Sequence, residues 1–390
     1  MKMFHRRTND KPAARAPRRW MMGVVTYTML TITAFSALTP APVEAAGEPR
    51  LARRQGRLVM YAMDGSNLNL SDAHADKLDQ LNYSFALIRD GEASGDHWRH
   101  IDKVRAFLRR NPQVDGVVSV GGWGADGFSD ACATEEGRTR LAESILRLMD
   151  DNGFVGVDID WEYPGSSAAG IVSRPEDEEN WYALLEKLRV GLDQRAAKAG
   201  RPYILSVAIG CGEEQLDRVD GARLDMLVDQ AVLMTYDLSG FEKTTGHHAG
   251  LYPGEDRPNS GAHAVRKLAR SGLSHSRMLL GFPAYAHVWR QVSGGGDGLH
   301  QQAATSGNKT IAYPAIQALT REGYAEHYDE QACAAWWFDG ETFVSGENER
   351  SVQEKGAWLR QQGLQGAAVW SWNNDPDSAF LTMLDSALAK

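Results

Sequence analysis

Cysteine is scarce in this chain: 390 residues contain three, Cys132, Cys211 and Cys333. An odd count leaves at least one thiol without an internal partner, which excludes a fold framed by disulfides. Their spacing matches no zinc pattern, so they read as mostly structural, with three different single bridges left open. Long apolar runs are just as rare. Beyond residues 21–38, no segment is long and apolar enough to span a bilayer. A basic excess is missing too: the formal net charge is −9, which argues against nucleic acid and anionic membranes as partners. A neutral polymer such as a polysaccharide is compatible with that charge. No internal repeat, no Ser/Thr/Pro-rich linker and no appended binding module is visible.

The N-terminus has its own pattern. Lys2, Arg6, Arg7, Lys11, Arg15, Arg18 and Arg19 precede the apolar stretch 21–38, and Val43-Glu44-Ala45-Ala46 follows it. A basic start, an apolar middle and small residues at the end predict a secretory signal peptide over residues 1–45, cleaved after Ala45. Thr26, Tyr27, Thr28, Thr31 and Thr33 dilute the apolar run and argue against an uncleaved membrane anchor. Cleavage removes seven basic and two acidic residues and takes the net charge from −9 to −14. The mature chain, 46–390, is expected to be secreted or periplasmic, monomeric and free of the membrane.

From residue 57 onward, short apolar segments alternate with amphipathic ones. Strands are predicted at 57–62, 81–88, 116–120, 154–160, 203–209, 230–236, 278–283 and 366–372. Helices are predicted at 101–110, 134–151, 176–199, 262–271 and 352–362. Eight strands separated by helices predict an α/β fold, a parallel sheet closed into a (β/α)8 barrel. The connection between the seventh and eighth strands is much longer than the others. It predicts a small α+β insertion over about residues 289–349, with strands at 308–313 and 334–343.

The segment Phe154-Val155-Gly156-Val157-Asp158-Ile159-Asp160-Trp161-Glu162-Tyr163-Pro164 carries the chemistry. Side chains alternate faces along a strand. Val155, Val157, Ile159 and Trp161 form an apolar face suited to packing under helices, while Gly156, Asp158, Asp160 and Glu162 form the other. Three acids facing a barrel interior are costly unless they share protons and hydrogen bonds. A purely structural strand has little reason to bear that cost. Barrel enzymes place their catalytic groups at the C-terminal ends of strands, where Glu162 falls, with Asp160 below it and Asp158 deepest.

Asp158-Ile159-Asp160-Trp161-Glu162-Tyr163-Pro164 resembles the signature of glycoside hydrolase family 18, the chitinase family. The resemblance extends over nearly the whole mature chain. Ser119-Val120-Gly121-Gly122-Trp123 matches the third-strand motif, and Met234-Thr235-Tyr236-Asp237 matches the sixth. Gly281-Phe282-Pro283-Ala284-Tyr285 resembles the seventh, Gly366-Ala367-Ala368-Val369-Trp370 the eighth, and Tyr61 holds the place of the first-strand tyrosine. Two positions depart from the pattern. Val155 stands where the longer motif has its first Asp, on the face opposite Glu162. The seventh strand reads Tyr285-Ala286-His287 where Tyr-Gly-Arg is usual, so an imidazole replaces a sugar-binding guanidinium.

The resemblance implies a chitinase that cuts β-1,4-linked N-acetylglucosamine polymers internally, without cofactor or metal. It also implies a retaining mechanism assisted by the substrate, with Glu162 as acid and base and Asp160 and Asp158 beneath it. Tyr61 and Ser119 are expected to hold Asp158, and Tyr236 and Asp237 to position the acetamido group. Trp370 is expected to floor the pocket, with Met234, Trp123, Tyr163 and Tyr285 as further substrate contacts. Two alternatives remain: an endo-β-N-acetylglucosaminidase or cell-wall glycan hydrolase, and a non-catalytic chitin-binding lectin, which typically replaces the acid retained here as Glu162. Trp289, Trp336, Trp337 and Trp372 are weaker groove candidates, since large aromatics are also common in cores. Gly246-His247-His248 reads as a loop rather than a metal site, and Gly294-Gly295-Gly296 as a loop rather than a phosphate cradle.

Overall fold

The computed structural model describes residues 54–65, 68–254 and 259–389. The expected signal peptide lies outside them. In chain order the strands are β1 (Arg57–Met63), β2 (Gln80–Arg89), β3 (Glu92–Ser94), β4 (Asp115–Gly121), β5 (Gly156–Asp160), β6 (Ile204–Gly210), β7 (Gln230–Met234) and β8 (Met278–Pro283). They continue with β9 (Tyr285–Trp289), β10 (Lys309–Ala312), β11 (Ala325–Asp329), β12 (Ala334–Phe338), β13 (Phe343–Gly346) and β14 (Gly366–Trp370).

Eight of these strands close a parallel barrel in the order β1-β2-β4-β5-β6-β7-β8-β14, with β14 pairing back onto β1. Helices return the chain between strands, and local signals fix their ends. The helix Glu135–Asn152 starts where the Thr134 hydroxyl accepts the Gly137 N–H at 3.0 Å, and stops at Gly153, whose φ is 72°. The helix Glu349–Gln362 begins earlier than the apolar spacing predicts, because Asn348 and Ser351 cap each other there. No helix among the described residues is long and apolar enough to cross a membrane.

The main core lies between the barrel wall and the helices. From β5 and the residues after it, Val157, Ile159 and Trp161 turn outward into this layer, where Trp161 stacks on Phe128 with centroids 5.0 Å apart. Inside the barrel, Val59, Tyr61, Val232, Leu279 and Ala368 form a separate apolar plug against Trp370. Gln80 and Gln230, also buried, exchange amide hydrogen bonds of 2.9 and 2.8 Å. That pairing satisfies two amides that would otherwise be stranded away from water.

The insertion is a five-stranded sheet in the order β10-β9-β13-β12-β11. It begins within two residues of β8, because β9 continues almost directly from the barrel strand. The predicted strand at 334–343 is two strands, β12 and β13, with a turn at Asp339, whose carboxylate accepts the Glu341 and Thr342 N–H groups. Strands β9 and β11 were not foreseen. Every residue of β9 is buried, so it shows no alternating pattern to read. All three cysteines are buried and unpaired.

Candidate active site

Alternation along β5 sets the depth of three carboxyl groups. Asp158 is fully buried, Asp160 is 4% exposed and Glu162, just past the strand end, is 9% exposed. Asp158 Oδ2 accepts hydrogen bonds from Ser119 at 2.6 Å and Tyr61 at 3.1 Å. Tyr61 lines the cleft as well, whereas Ser119 and Asp158 lie beneath its surface. The other oxygen of Asp158 and one oxygen of Asp160 have no partner among the described residues. Two adjacent buried carboxyls with unpaired oxygens are most stable when they hold a proton between them.

Burial raises the proton affinity of all three groups. For Asp158, hydrogen bonds from Ser119 and Tyr61 oppose the rise. For Asp160, burial is reinforced by the charges of Glu162 and Asp158, and its pKa stands well above the usual carboxylate range. Burial pushes Glu162 up to about 7, against a hydrogen bond from Tyr163 and with help from the Asp237 charge. A carboxyl in that range can give a proton near neutrality and take one back.

The strand next to β5 must come close for this ladder to form. Gly121 has φ 117°, and a Cβ there would collide with the Asp160 carbonyl oxygen. The following Gly122 N–H donates to that same oxygen at 2.9 Å. Backbone approach therefore requires glycine at 121, while at Gly122 the φ of 95° and the Phe85 ring against the Cβ position do so.

Above the acids, a cleft of about 1260 Å³ opens at the C-terminal ends of the strands. Asp160, Glu162, Tyr61, Trp123, Tyr163, Met234, Tyr236, Asp237, Tyr285 and Trp370 all line it. Trp370 lies 5.7 Å from both Tyr61 and Phe85 by ring centroids. Trp123 is 61% exposed, edge-on to Tyr163 at 6.3 Å. Phe241, 64% exposed, also lines the cleft. Phe85 and Phe241 were not read from the sequence. Phe241 follows Asp237 by four residues in an irregular loop, where no periodicity marks a lining position.

The other four candidate tryptophans do not reach the cleft. Trp289, Trp336 and Trp337 are buried. Trp372 would share the face of Trp370 if the strand ran on, but β14 ends at Trp370 and a short 3-10 turn follows. That turn sends Trp372 into the core, where it stacks on His74 at 4.0 Å and donates to the Asn69 carbonyl at 2.8 Å.

Asp237 sits at φ 56° just after β7, a conformation Asp tolerates better than most residues. Its Oδ1 receives the Tyr285 hydroxyl at 2.5 Å and His287 Nε2 at 2.7 Å. Its own N–H donates to His248 Nδ1 at 3.1 Å. Burial works to raise the Asp237 pKa, but hydrogen bonds and charge from His248 and His287 prevail and hold it far below the usual range. His287 lines the cleft, as its replacement of arginine requires, and its Nδ1 contacts the Gly307 carbonyl. The adjacent pair His247-His248 splits: His247 bonds Asp329 at 2.9 Å, and His248 turns inward to Asp237.

Known proteins resemble this chain in sequence and fold. Residues 57–375 match the profile of Glycosyl hydrolases family 18. Chitinase A1 of Niallia circulans is 26% identical over 97% of this chain, which spans 64% of that relative's length. Chitinase 1 of Aphanocladium album is 25% identical over 90% of this chain and 89% of its own. A solved family 18 N-acetylglucosaminidase from Paenibacillus barengoltzii superposes with a TM-score of 0.82 at 32% identity, covering 85% of this chain and 100% of its own. The profile spans the barrel from β1 past β14, and the β5 motif lies at its heart: this chain is a glycoside hydrolase of family 18.

Proposed function

We propose that the chain is an exported chitinase that cuts N-acetylglucosamine polymers internally by a retaining, substrate-assisted mechanism. The observation that carries this reading is the ladder Asp158–Asp160–Glu162, which ends in a carboxyl tuned to about 7 beneath an aromatic cleft. The sugar's own 2-acetamido oxygen attacks the anomeric carbon and closes an oxazolinium ring. Glu162 gives its proton to the departing glycosidic oxygen, then takes one from the water that reopens the ring. Asp160 accepts the acetamido N–H and offsets the ring's positive charge, with Asp158 sharing its proton below. Tyr236 and Asp237 position the acetamido group, and Trp370 packs against the apolar face of the pyranose. The entering water arrives on the face the leaving group left, so the product keeps the β configuration.

Time courses on N-acetylglucosamine oligomers, chitin and peptidoglycan test the substrate. Early products of mixed length from oligomers and chitin support internal cutting. A second reading, release of single N-acetylglucosamine units from one end, is favoured by the likeness to the Paenibacillus enzyme, and a monomer-only product from the first minutes would replace the endo reading with it.

The pH profile follows from Glu162. Its acid form dominates below a pH of about 7 and is lost above it, so kcat should fall as pH rises through that value. A kcat that climbs through the same range would remove Glu162 as the proton donor. Export has its own check: the N-terminus of protein recovered outside the cytoplasm should be Ala46, and an intact Met1 there would contradict cleavage.

A further inference from the structure

Asp237, His248 and His287 each offer one ligand atom, and these atoms all lie within 4.8 Å of one another. His287 Nε2 and His248 Nδ1 are 2.7 and 3.3 Å from the same Asp237 oxygen. Ligands bound tetrahedrally to a zinc-class ion at about 2.0–2.2 Å stand about 3.3 Å apart. Two edges of such a site are therefore present, one needing only to widen by a fraction of an ångström.

The surroundings prepare both imidazoles. His287 Nδ1 donates to the Gly307 carbonyl, the kind of outer partner that orients a metal-binding histidine and directs its other nitrogen forward. His248 is fully buried, and its Nε2 has no hydrogen-bond partner among the described residues. The N–H of a neutral ring then sits on Nε2, leaving the Nδ1 lone pair toward Asp237. The Asp237 side chain is 37% exposed and lines the cleft, so a further coordination position faces solvent. Binding has costs: the ion must replace the proton through which His287 Nε2 meets Asp237 Oδ1, take the His248 lone pair from the Asp237 N–H, and take Asp237 Oδ1 from the Tyr285 hydroxyl.

We propose that Asp237, His248 and His287 bind one divalent transition-metal ion of the zinc or copper class, and that its occupancy excludes the sugar. Two imidazoles and one carboxylate suit those ions better than magnesium or calcium. The ion is an inhibitor, not a cofactor. The exclusion rests on the sugar-positioning role proposed for Asp237; the binding does not.

Cobalt(II) is the probe, titrated into tag-free protein and followed by visible absorption. One equivalent should produce the bands of a nitrogen and oxygen site, and zinc should erase them. His287→Arg keeps a cation beside Asp237 but cannot ligate, and His248→Asn removes the other ring. Each should weaken cobalt binding beyond the about 10–100-fold typical of losing only an outer partner. Circular dichroism confirms that at least one variant is folded. In a Glu162→Gln background, saturating N-acetylglucosamine oligomer should weaken cobalt binding. Absent bands, intense thiolate bands or undiminished binding in the folded variants would overturn the site. Bands insensitive to oligomer would leave the site standing and overturn the exclusion.

Discussion

Glu162→Gln should lose at least about 10²–10⁴-fold in kcat, the usual worth of general acid catalysis, and more if water activation fails with it. The amide keeps the shape of the side chain and its capacity for hydrogen bonds, but it has no acidic proton for the leaving oxygen. At 9% exposure in a preformed pocket, the replacement has little room to rearrange. Calorimetry with N-acetylglucosamine oligomers should therefore show affinity close to wild type beside the lost turnover. Residual activity within tenfold of wild type would sink the assignment. Affinity lost in step with turnover, in a variant that remains folded, would make Glu162 a binding group instead.

Asp160→Asn should reduce kcat by about 10²–10³-fold, through lost stabilisation of the oxazolinium charge rather than lost proton transfer. The change also removes the acid that faces both Glu162 and Asp158, whose charges raise its proton affinity in the wild type. Substrate assistance makes a stricter demand on the sugar itself. Fully deacetylated oligomers lack the attacking oxygen and should resist cleavage even where they bind. Products from acetylated oligomers should keep the β configuration, which proton NMR reads within minutes of mixing. Initial α-product, or rapid hydrolysis of deacetylated oligomers, would falsify the mechanism. The search would then turn to a carboxylate able to act as nucleophile.

Much of the site could be read from the chain because it rests on a period-two strand. Parity along residues 155–162 placed the three acids on one face and Val157, Ile159 and Trp161 on the other, and the barrel keeps that division. The pairing of Tyr61 and Ser119 with Asp158 was expected from the motifs, and hydrogen bonds of 3.1 and 2.6 Å show it. What stayed hidden lies where the chain leaves regular structure. Trp372 escaped because the strand ends at Trp370 and the alternation ends with it. The inward turn of His248 escaped because the loop path from Asp237 has no sequence period. The strand β9 escaped because a segment buried on both faces looks the same as any other apolar run.

The near-continuity of β8 and β9 bears on any attempt to exchange parts between relatives. Tyr285 and His287, both bonded to Asp237, lie on β9, which belongs by pairing to the insertion rather than to the barrel. Ser345 on β13 takes the His248 N–H at 3.0 Å, so a second insertion strand braces the same corner. A chimera that replaced everything after Pro283 with a relative's insertion would import new partners for the host's Asp237. One cut after Trp289 would keep those partners but would break the pairing of β9 with its replaced neighbours β10 and β13. The insertion and the sixth-strand motif are thus one heritable unit, and recombination that separates them should yield folded barrels with a misaligned Asp237.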